Sequence, residues 1–514
     1  MKSKKILLGL IILLFLATRL YKITDIPLSV YWDEASIGYN AYAISQTGKD
    51  EWGESFPLHF KAFGEYKLPI YIYATTLFVK IFGLNEFSVR FPSVLFSLGV
   101  VILTYLLAKR LSDNETTGLF SSFFVTVSPW FFIFSRTGYE ATAGLMFYLL
   151  GIYTFFLSLE KRWFLIFSSI SFILSLFSYN SFRIITPLTI ILLIFFNLQL
   201  FKIDKNKNLL PLILSIVLLF FSAVFIFNSI RLGQATARLD EVGILNSFAK
   251  KQPLIKQVFI NYVSHFHPKF LFLQGDKNIR SQQQNFGQLY FTDLILFFTG
   301  LMILVKSNNK NLHLILALMF LAPIPSSISK EVPHGLRSLS LVPFLSIILA
   351  LGVEKVHKLA KFKYLSIALV ILYLIFFVNY YGNFISQYPK YSGEAWQLGY
   401  KTIINEYKNK LENFDHVIIS DHDSQPYIFT LFYLKYPPQK FRETVKYNTT
   451  IRRATSLVKS FDKFIFTNID FYNFPDGKSL IFAHPSERMD EINYKRIIYF
   501  PNNEIMFYVY EYEK

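Results

Sequence analysis

The chain has 514 residues, of which 53% are hydrophobic and only 17% charged, and its mean hydropathy is +0.35. A soluble chain of this length carries far more charge, so the composition excludes a water-soluble globular protein. The net charge of +17 does not require a nucleic-acid partner, because cations in the loops on one side of a membrane account for it, and the absence of cysteine removes disulfides, thiolate nucleophiles and thiolate metal sites.

The first 22 residues, MKSKKILLGLIILLFLATRLYK, pair a basic start with an apolar run. Thr18, Arg19 and Tyr21 follow the run where a signal peptide would place a small-residue cleavage site, so the segment reads as a retained anchor helix. A bilayer crossing needs about 20 apolar residues. Segments 6–22, 87–108, 117–135, 139–158, 163–181, 184–201, 209–229, 290–305, 311–328, 336–354 and 364–381 meet that need approximately. With Lys2, Lys4 and Lys5 inside, the inner loops hold Lys109 and Arg110, Lys161 and Arg162, then Lys202, Lys205 and Lys207. Lys306 and Lys310 follow, then Lys355, Lys358, Lys361 and Lys363. This is the positive-inside pattern.

Residues 68–83, LPIYIYATTLFVKIFG, are apolar but reach only about 24 Å as a helix, short of a hydrocarbon core of about 30 Å. Counting them as a span would also put the later basic loops outside. They are expected to form an interfacial helix in the first outer loop. The expected fold is a polytopic α-helical membrane protein of about 11 transmembrane helices, N-terminus cytoplasmic and C-terminus outside.

Three long segments then face outward: 23–86, 230–289 and 382–514. The last begins with a helical stretch, Ala395 to Leu411, and continues with HVIIS (416–420), KFIFTN (463–468), SLIFA (479–483), KRIIYF (495–500) and EIMFYVYEY (504–512). Helix and strands together predict a small α/β domain at 382–514, beside a membrane domain at 1–381.

The first outer segment contains VYWDEASIGYNAYAI. Asp33 and Glu34 are adjacent acids just beyond the membrane, which suits a general base; the structural alternative makes Asp33 a helix N-cap. Arg136 and Glu140 lie four apart at the next outer turn, as functional groups at a helix mouth or as an ion pair shaping the turn. Tyr179 and Arg183 mark the following turn. The segment 230–289 supplies His265, His267, Lys269, Asp276, Lys277 and Arg280. The two histidines are two apart, a spacing that points them apart on a helix. The last turn holds Lys330, His334 and Arg337, and a helix there would put His334 and Arg337 on one face. Lys67 stands just before the interfacial helix.

Cations gathered at a membrane surface suit a phosphate at headgroup level, and neighbouring acids suit proton removal; the alternative is simple headgroup anchoring. No Gly-rich phosphate loop, G-x-S-x-G or H-E-x-x-H occurs. The spans are nearly free of acids, which disfavours an ion-coupled carrier.

This pattern resembles the polytopic GT-C glycosyltransferases, in particular the protein O-mannosyltransferase and aminoarabinose transferase families. The resemblance is carried by Asp33–Glu34, EYKLPIYIY (65–73), FGLNEFSVRFPSVLFSLGVVILTYLLAKRL (82–111), Glu140 and PHGLRSL (333–339), over about residues 1–355. It implies transfer of a sugar from a polyprenyl-phosphate donor to an acceptor hydroxyl outside the cytoplasm, with inversion. It implies Asp33 as general base, Glu34 as its support or as the group that positions the acceptor, and Glu140 as a second acid. Lys67, Arg280, Arg337 and His334 would bind the donor phosphate, although relatives place the lysine directly before proline and here Leu68 intervenes. The resemblance makes no cofactor certain and leaves a divalent metal possible but not indicated. The expected partners are the lipid-linked donor, the bilayer and an acceptor that is protein, lipid or wall polymer, with no nucleic acid. The expected location is the plasma membrane of the cell envelope. Two other readings stand beside this one: a flippase or transporter of lipid-linked sugars, which needs a polar route through the bundle, and a scaffold, which leaves the outer acids and cations unexplained.

Overall fold

The computed structural model describes residues 2–198, 208–234, 243–244, 253–360, 364–423, 425–448, 456–470, 474–490 and 492–514. Lys202, Lys205, Lys207, Lys361 and Lys363 of the basic loops lie outside the described residues, as do 235–242 and 245–252 of the second outer segment. The chain divides into two compact units, Met1–Tyr21 with Ser93–Gly382 and Lys22–Pro92 with Asn383–Lys514.

The first unit is helical, and a helix overlaps each of the eleven expected spans. Among the described residues, Glu86–Ser112, Ala141–Ser158, Leu210–Arg231 and Leu365–Ser386 are long and apolar enough to cross a membrane. Glu115–Val127 and Pro129–Arg136 pass the same test only as a pair, bent by 64°, the geometry of a broken span or of a re-entrant loop. Phe164–Leu176 and Phe182–Phe196 are apolar but shorter. Only 17% of the apolar window of Leu210–Arg231 is buried, against 72% for Ala141–Ser158, so the former offers its side chains to lipid and the latter to neighbouring helices.

Small residues let these helices approach closely. A Cβ on Gly300 would lie 1.9 Å from the Ile348 carbonyl oxygen, and one on Gly352 2.1 Å from that of Leu296. Helices Phe291–Lys306 and Leu341–Ala360 therefore touch backbone to backbone. Ser168 and Ser175 hydroxyls donate to the Gly151 and Gly144 carbonyls at 2.8 and 2.9 Å, tying Phe164–Leu176 to Ala141–Ser158. The bend before Pro129 follows from its missing N–H. Carbonyls near the bend are satisfied by tyrosines: Tyr290 donates to Val127 at 2.9 Å and Tyr380 to Pro129 at 3.2 Å.

The second unit is built on two sheets. A hairpin joins β1 (Phe60–Ala62) to β2 (Glu65–Lys67). Its tip residues Phe63 and Gly64 both have positive φ, the combination a tight two-residue hairpin turn requires. Seven further strands, β3 (His416–Ser420), β4 (Lys446–Tyr447), β5 (Val458–Phe461), β6 (Phe464–Thr467), β7 (Lys478–Ala483), β8 (Arg496–Tyr499) and β9 (Ile505–Glu513), form one mixed sheet. Their order is β4-β5-β6-β3-β7-β9-β8. The central β3 pairs in parallel with both β6 and β7, and the outer pairings are antiparallel. The five strand-like runs read from the sequence coincide with β3, β6, β7, β8 and β9.

This unit takes in residues 22–92 as well as the C-terminal residues. Helix Trp32–Thr47 packs on Pro426–Tyr433 so closely that a Cβ on Gly38 would lie 2.6 Å from the Phe432 ring. The Tyr39 hydroxyl donates to the Tyr436 carbonyl at 3.1 Å. A boundary drawn from hydropathy alone, at residue 381, misses this association because the contact relies on a glycine and two tyrosines. Helix Pro69–Phe82 belongs to the same unit and has 14 residues, too few to cross a bilayer.

Candidate active site

Helix Trp32–Thr47 starts from Tyr31, the N-cap residue, with Asp33 and Glu34 second and third in the first turn. Asp33 is thus not the cap. Both acids sit where the helix dipole favours negative charge. Glu34 is buried and accepts the Tyr31 N–H at 3.3 Å. Its two oxygens also receive Arg90 Nε and Nη2, each at 3.1 Å. The remaining donors of this buried guanidinium go to the carbonyls of Ile23 (2.8 Å), Pro27 (3.0 Å) and Ser29 (2.6 Å). Arg90 therefore gathers the chain leading out of the first helix and fixes the turn that presents the acids. Sequence reasoning quoted Arg90 only as part of a run; its role depends on a partner 56 residues away.

Asp33 faces a different cation. Lys67 Nζ lies 2.5 Å from Asp33 Oδ1 and 3.9 Å from Glu65 Oε1. Lys67 ends β2, where it pairs in register with Phe60, so the hairpin fixes its position. The side chains of Lys67 and Glu34 are 4% exposed and that of Asp33 is 27% exposed, which makes Asp33 the member of the group open to an incoming molecule. Each carboxylate already faces a buried cation, so this donor set does not suit a divalent metal.

Glu51 was not anticipated. It is buried, accepts from Asn40 Nδ2 (3.1 Å) and the Tyr427 hydroxyl (3.2 Å), and its backbone N–H donates to Asn40 Oδ1 at 3.1 Å. Burial, with Asp50 adjacent, pushes its carboxyl up to about 8.

The other expected residues lie in the first unit. Residues 334–340 form turns, and the helix begins only at Leu341. The expected shared helix face for His334 and Arg337 is therefore corrected: Pro343, which lacks an N–H to donate back into a preceding turn, sits in the first turn of the helix that starts at Leu341. The two residues are nevertheless brought together around a loop anchor. The Gly335 N–H donates to Asp276 Oδ2 at 2.7 Å, with His334 Nδ1 3.6 Å from the same oxygen. Arg337 donates to Ser329 Oγ at 2.8 Å and lies 3.8 Å from Glu331. Asp276 is buried, which raises its carboxyl above the ordinary range. A cavity of about 660 Å³ opens beside this turn, with Lys269, Lys277, Lys330, His267 and His334 in its wall.

His265 is buried between the Asn261 carbonyl (2.9 Å) and Ser326 Oγ (2.7 Å), and burial lowers it to about 4, so it is a neutral structural group. Arg280 is half-buried four residues beyond Asp276, its N–H donating to Asn278 Oδ1 at 3.0 Å. Glu140 is the half-buried residue preceding helix Ala141–Ser158. Tyr179 packs its Cβ against the open side of Gly144, one turn further along that helix. Arg136 is buried, donates to the carbonyls of Thr18 and Tyr21 at 3.0 Å each, and lies over the Phe132 ring. Arg183 Nε donates to the Leu176 carbonyl at 3.3 Å, at the end of Phe164–Leu176. These two arginines hold helix ends.

Residues 67–227 match the family described as Dolichyl-phosphate-mannose-protein mannosyltransferase. The fold aligns with ArnT from Cupriavidus metallidurans in the apo state at a TM-score of 0.51, with 11% identity, over 94% of this chain and 92% of that one. The chain shares the fold of that ArnT structure, and its residues 67–227 are similar to the mannosyltransferase family. The chain also aligns with the archaeal oligosaccharyltransferase AglB from Archaeoglobus fulgidus at a TM-score of 0.47 and 13% identity, covering 84% of this chain and 64% of AglB. An uncharacterized protein of Aquifex aeolicus is 31% identical over 134 residues, and the match spans 24% of this chain and about a quarter (25%) of that relative's length. The helical membrane architecture expected from composition is thus that of a known fold.

Proposed function

We propose that the protein is an inverting glycosyltransferase that takes a sugar from a polyprenyl-phosphate donor and passes it to an acceptor hydroxyl on the extracytoplasmic face. The observation that carries this reading is the contact between Asp33, the exposed acid of the first outer segment, and the buried Lys67. In the proposed reaction the acceptor oxygen attacks the anomeric carbon as its proton passes to Asp33. The bond from that carbon to the phosphate oxygen breaks on the opposite face, and polyprenyl phosphate leaves. Lys67, on exchanging Asp33 for the phosphate, frees the carboxylate and neutralises the leaving group in one movement.

Glu34, held by Arg90, is assigned the positioning of Asp33, and Glu140 is assigned as a second acid. His334, Arg337 and Arg280 are assigned to the donor phosphate, in keeping with the cation-lined cavity beside the first two. The name of the family matching 67–227 favours a polyprenyl-phosphate sugar as donor. The proposed topology has 11 crossings, a cytoplasmic N-terminus, an interfacial helix at 69–82 and an extracytoplasmic C-terminal α/β region in the plasma membrane. Purified protein incubated with a panel of polyprenyl-phosphate sugars and envelope extract tests the reading by mass spectrometry. A new glycoside together with released polyprenyl phosphate is expected. Translocation of an unchanged lipid-linked sugar, with no new bond, would instead make the protein a flippase.

A further inference from the structure

We infer that the second unit carries a divalent transition-metal site formed by His422, Asp423 and His484. Neighbouring parallel strands β3 and β7 run in register, Ile419 opposite Phe482, and so end at the same edge of the sheet. His422 lies two residues beyond the end of β3 and His484 immediately beyond that of β7. From β3 the chain continues to β4, β5 and β6 on one side of the sheet, and from β7 to β8 and β9 on the other. A crevice at the carboxyl ends of parallel strands whose connections diverge is the place where open α/β sheets bind ligands.

The donor set matches a borderline-soft cation, with two imidazoles and one carboxylate. His422 Nδ1 is 3.3 Å and His484 Nε2 3.9 Å from Asp423 Oδ1, and the three ligand atoms lie within 4.8 Å of one another. Metal–ligand bonds of about 2.0–2.2 Å in a tetrahedron separate ligand atoms by roughly 3.4 Å, so the set closes once the imidazoles rotate out of their stack to aim their in-plane lone pairs at one point. The imidazole rings stack at 3.8 Å with planes 7° apart, which holds the two side chains side by side. The other ring nitrogen of His484, Nδ1, accepts the Ser486 N–H at 3.2 Å and lies 2.7 Å from Ser486 Oγ, contacts that orient the ring.

Asp423 and His484 also line a cavity of about 300 Å³ whose wall includes Glu394, Gln397, Tyr400 and Glu504. Three protein ligands leave a fourth position, which faces water or an oxygen ligand held in that cavity. The site uses none of the residues assigned to glycosyl transfer, so its failure and that of the transfer reading are separable.

The test uses the full-length protein in detergent, stripped with EDTA, dialysed and titrated with Zn2+ and, separately, Co2+. One tightly bound equivalent of Zn2+ per chain is expected, with a Co2+ absorption spectrum of low-symmetry coordination. His422→Ala, His484→Ala and Asp423→Asn should each weaken Zn2+ binding at least tenfold, while Asp33→Asn leaves it unchanged. Melting curves of the metal-free variants identify any that fail to fold; His422 and Asp423 are about half exposed, so those two remain decisive. No bound equivalent in the parent protein, undiminished binding in folded His422→Ala and Asp423→Asn, or equal loss in Asp33→Asn would each overturn the site.

Discussion

The acid pair of the first outer segment and the turn at 333–339 are built in opposite ways. At the first, each cation faces carboxylates directly: Arg90 faces Glu34, and Lys67 faces Asp33 and, farther off, Glu65. At the second, one buried carboxylate, Asp276, holds the backbone of the turn, while lysines and histidines line an open cavity. The first arrangement holds its charges in close ion pairs. The second places lysines and histidines, with Asp276 and Glu331, around an open cavity. The contrast also separates residues that hold the fold from those available for chemistry, since Arg90 is fully enclosed and Asp33 is not.

Breaking the enclosed pair should have the largest effect. Arg90→Leu leaves Glu34 buried without its counter-ion, which costs about 3–5 kcal/mol. Thermal unfolding in detergent should show the loss, and the double variant with Glu34→Leu should recover much of it. If Arg90→Leu melts like the parent, the pair does not organise the turn. At the exchangeable pair, Lys67→Met should reduce transfer by about 10²-fold or more while the fold persists, as expected on losing one stabiliser of a developing charge. Steady-state kinetics with a polyprenyl-phosphate sugar would show it, and an unchanged kcat would remove Lys67 from the leaving-group role.

Glu51 offers a sharper probe of the same unit. Its carboxyl is raised to about 8 in the fold from 4.5. Between those values the folded protein holds a proton that the unfolded chain releases. This contribution to stability is full below about pH 4.5 and lost as pH rises through about 8, by up to about 1.4 kcal/mol per pH unit. Glu51→Gln should flatten that part of the stability profile; an identical slope would show that Glu51 ionises freely. The smallest effect is expected at the open turn, where several cations share the task. Arg337→Ala should raise the donor KM by roughly tenfold, about 1.4 kcal/mol, with little change in kcat. A fall in kcat alone would place Arg337 in the chemical step.

Much of this was legible in the sequence because its signals are local. Apolar runs located helices, alternating runs located β3 and β6 to β9, and the adjacent acids Asp33 and Glu34 stood out beside a membrane exit. What escaped depends on partners far apart in the chain. Arg90 reads as one basic residue in a helix until Glu34 and three carbonyls close around it. The hairpin that positions Lys67 turns at Phe63–Gly64, which carries no strong turn signature. The helical reading of His334 and Arg337 ignored Pro343. His422 and His484 lie on separate strand ends, so no spacing motif could join them.

The central claim is that Asp33 takes the acceptor proton. Single-turnover transfer from a polyprenyl-phosphate sugar, measured for the parent protein and for Asp33→Asn at equal donor occupancy, tests it most directly. A loss of about 10²–10⁴-fold in the rate of bond formation is predicted, with donor binding and melting temperature retained. A parent-like rate in Asp33→Asn would contradict it.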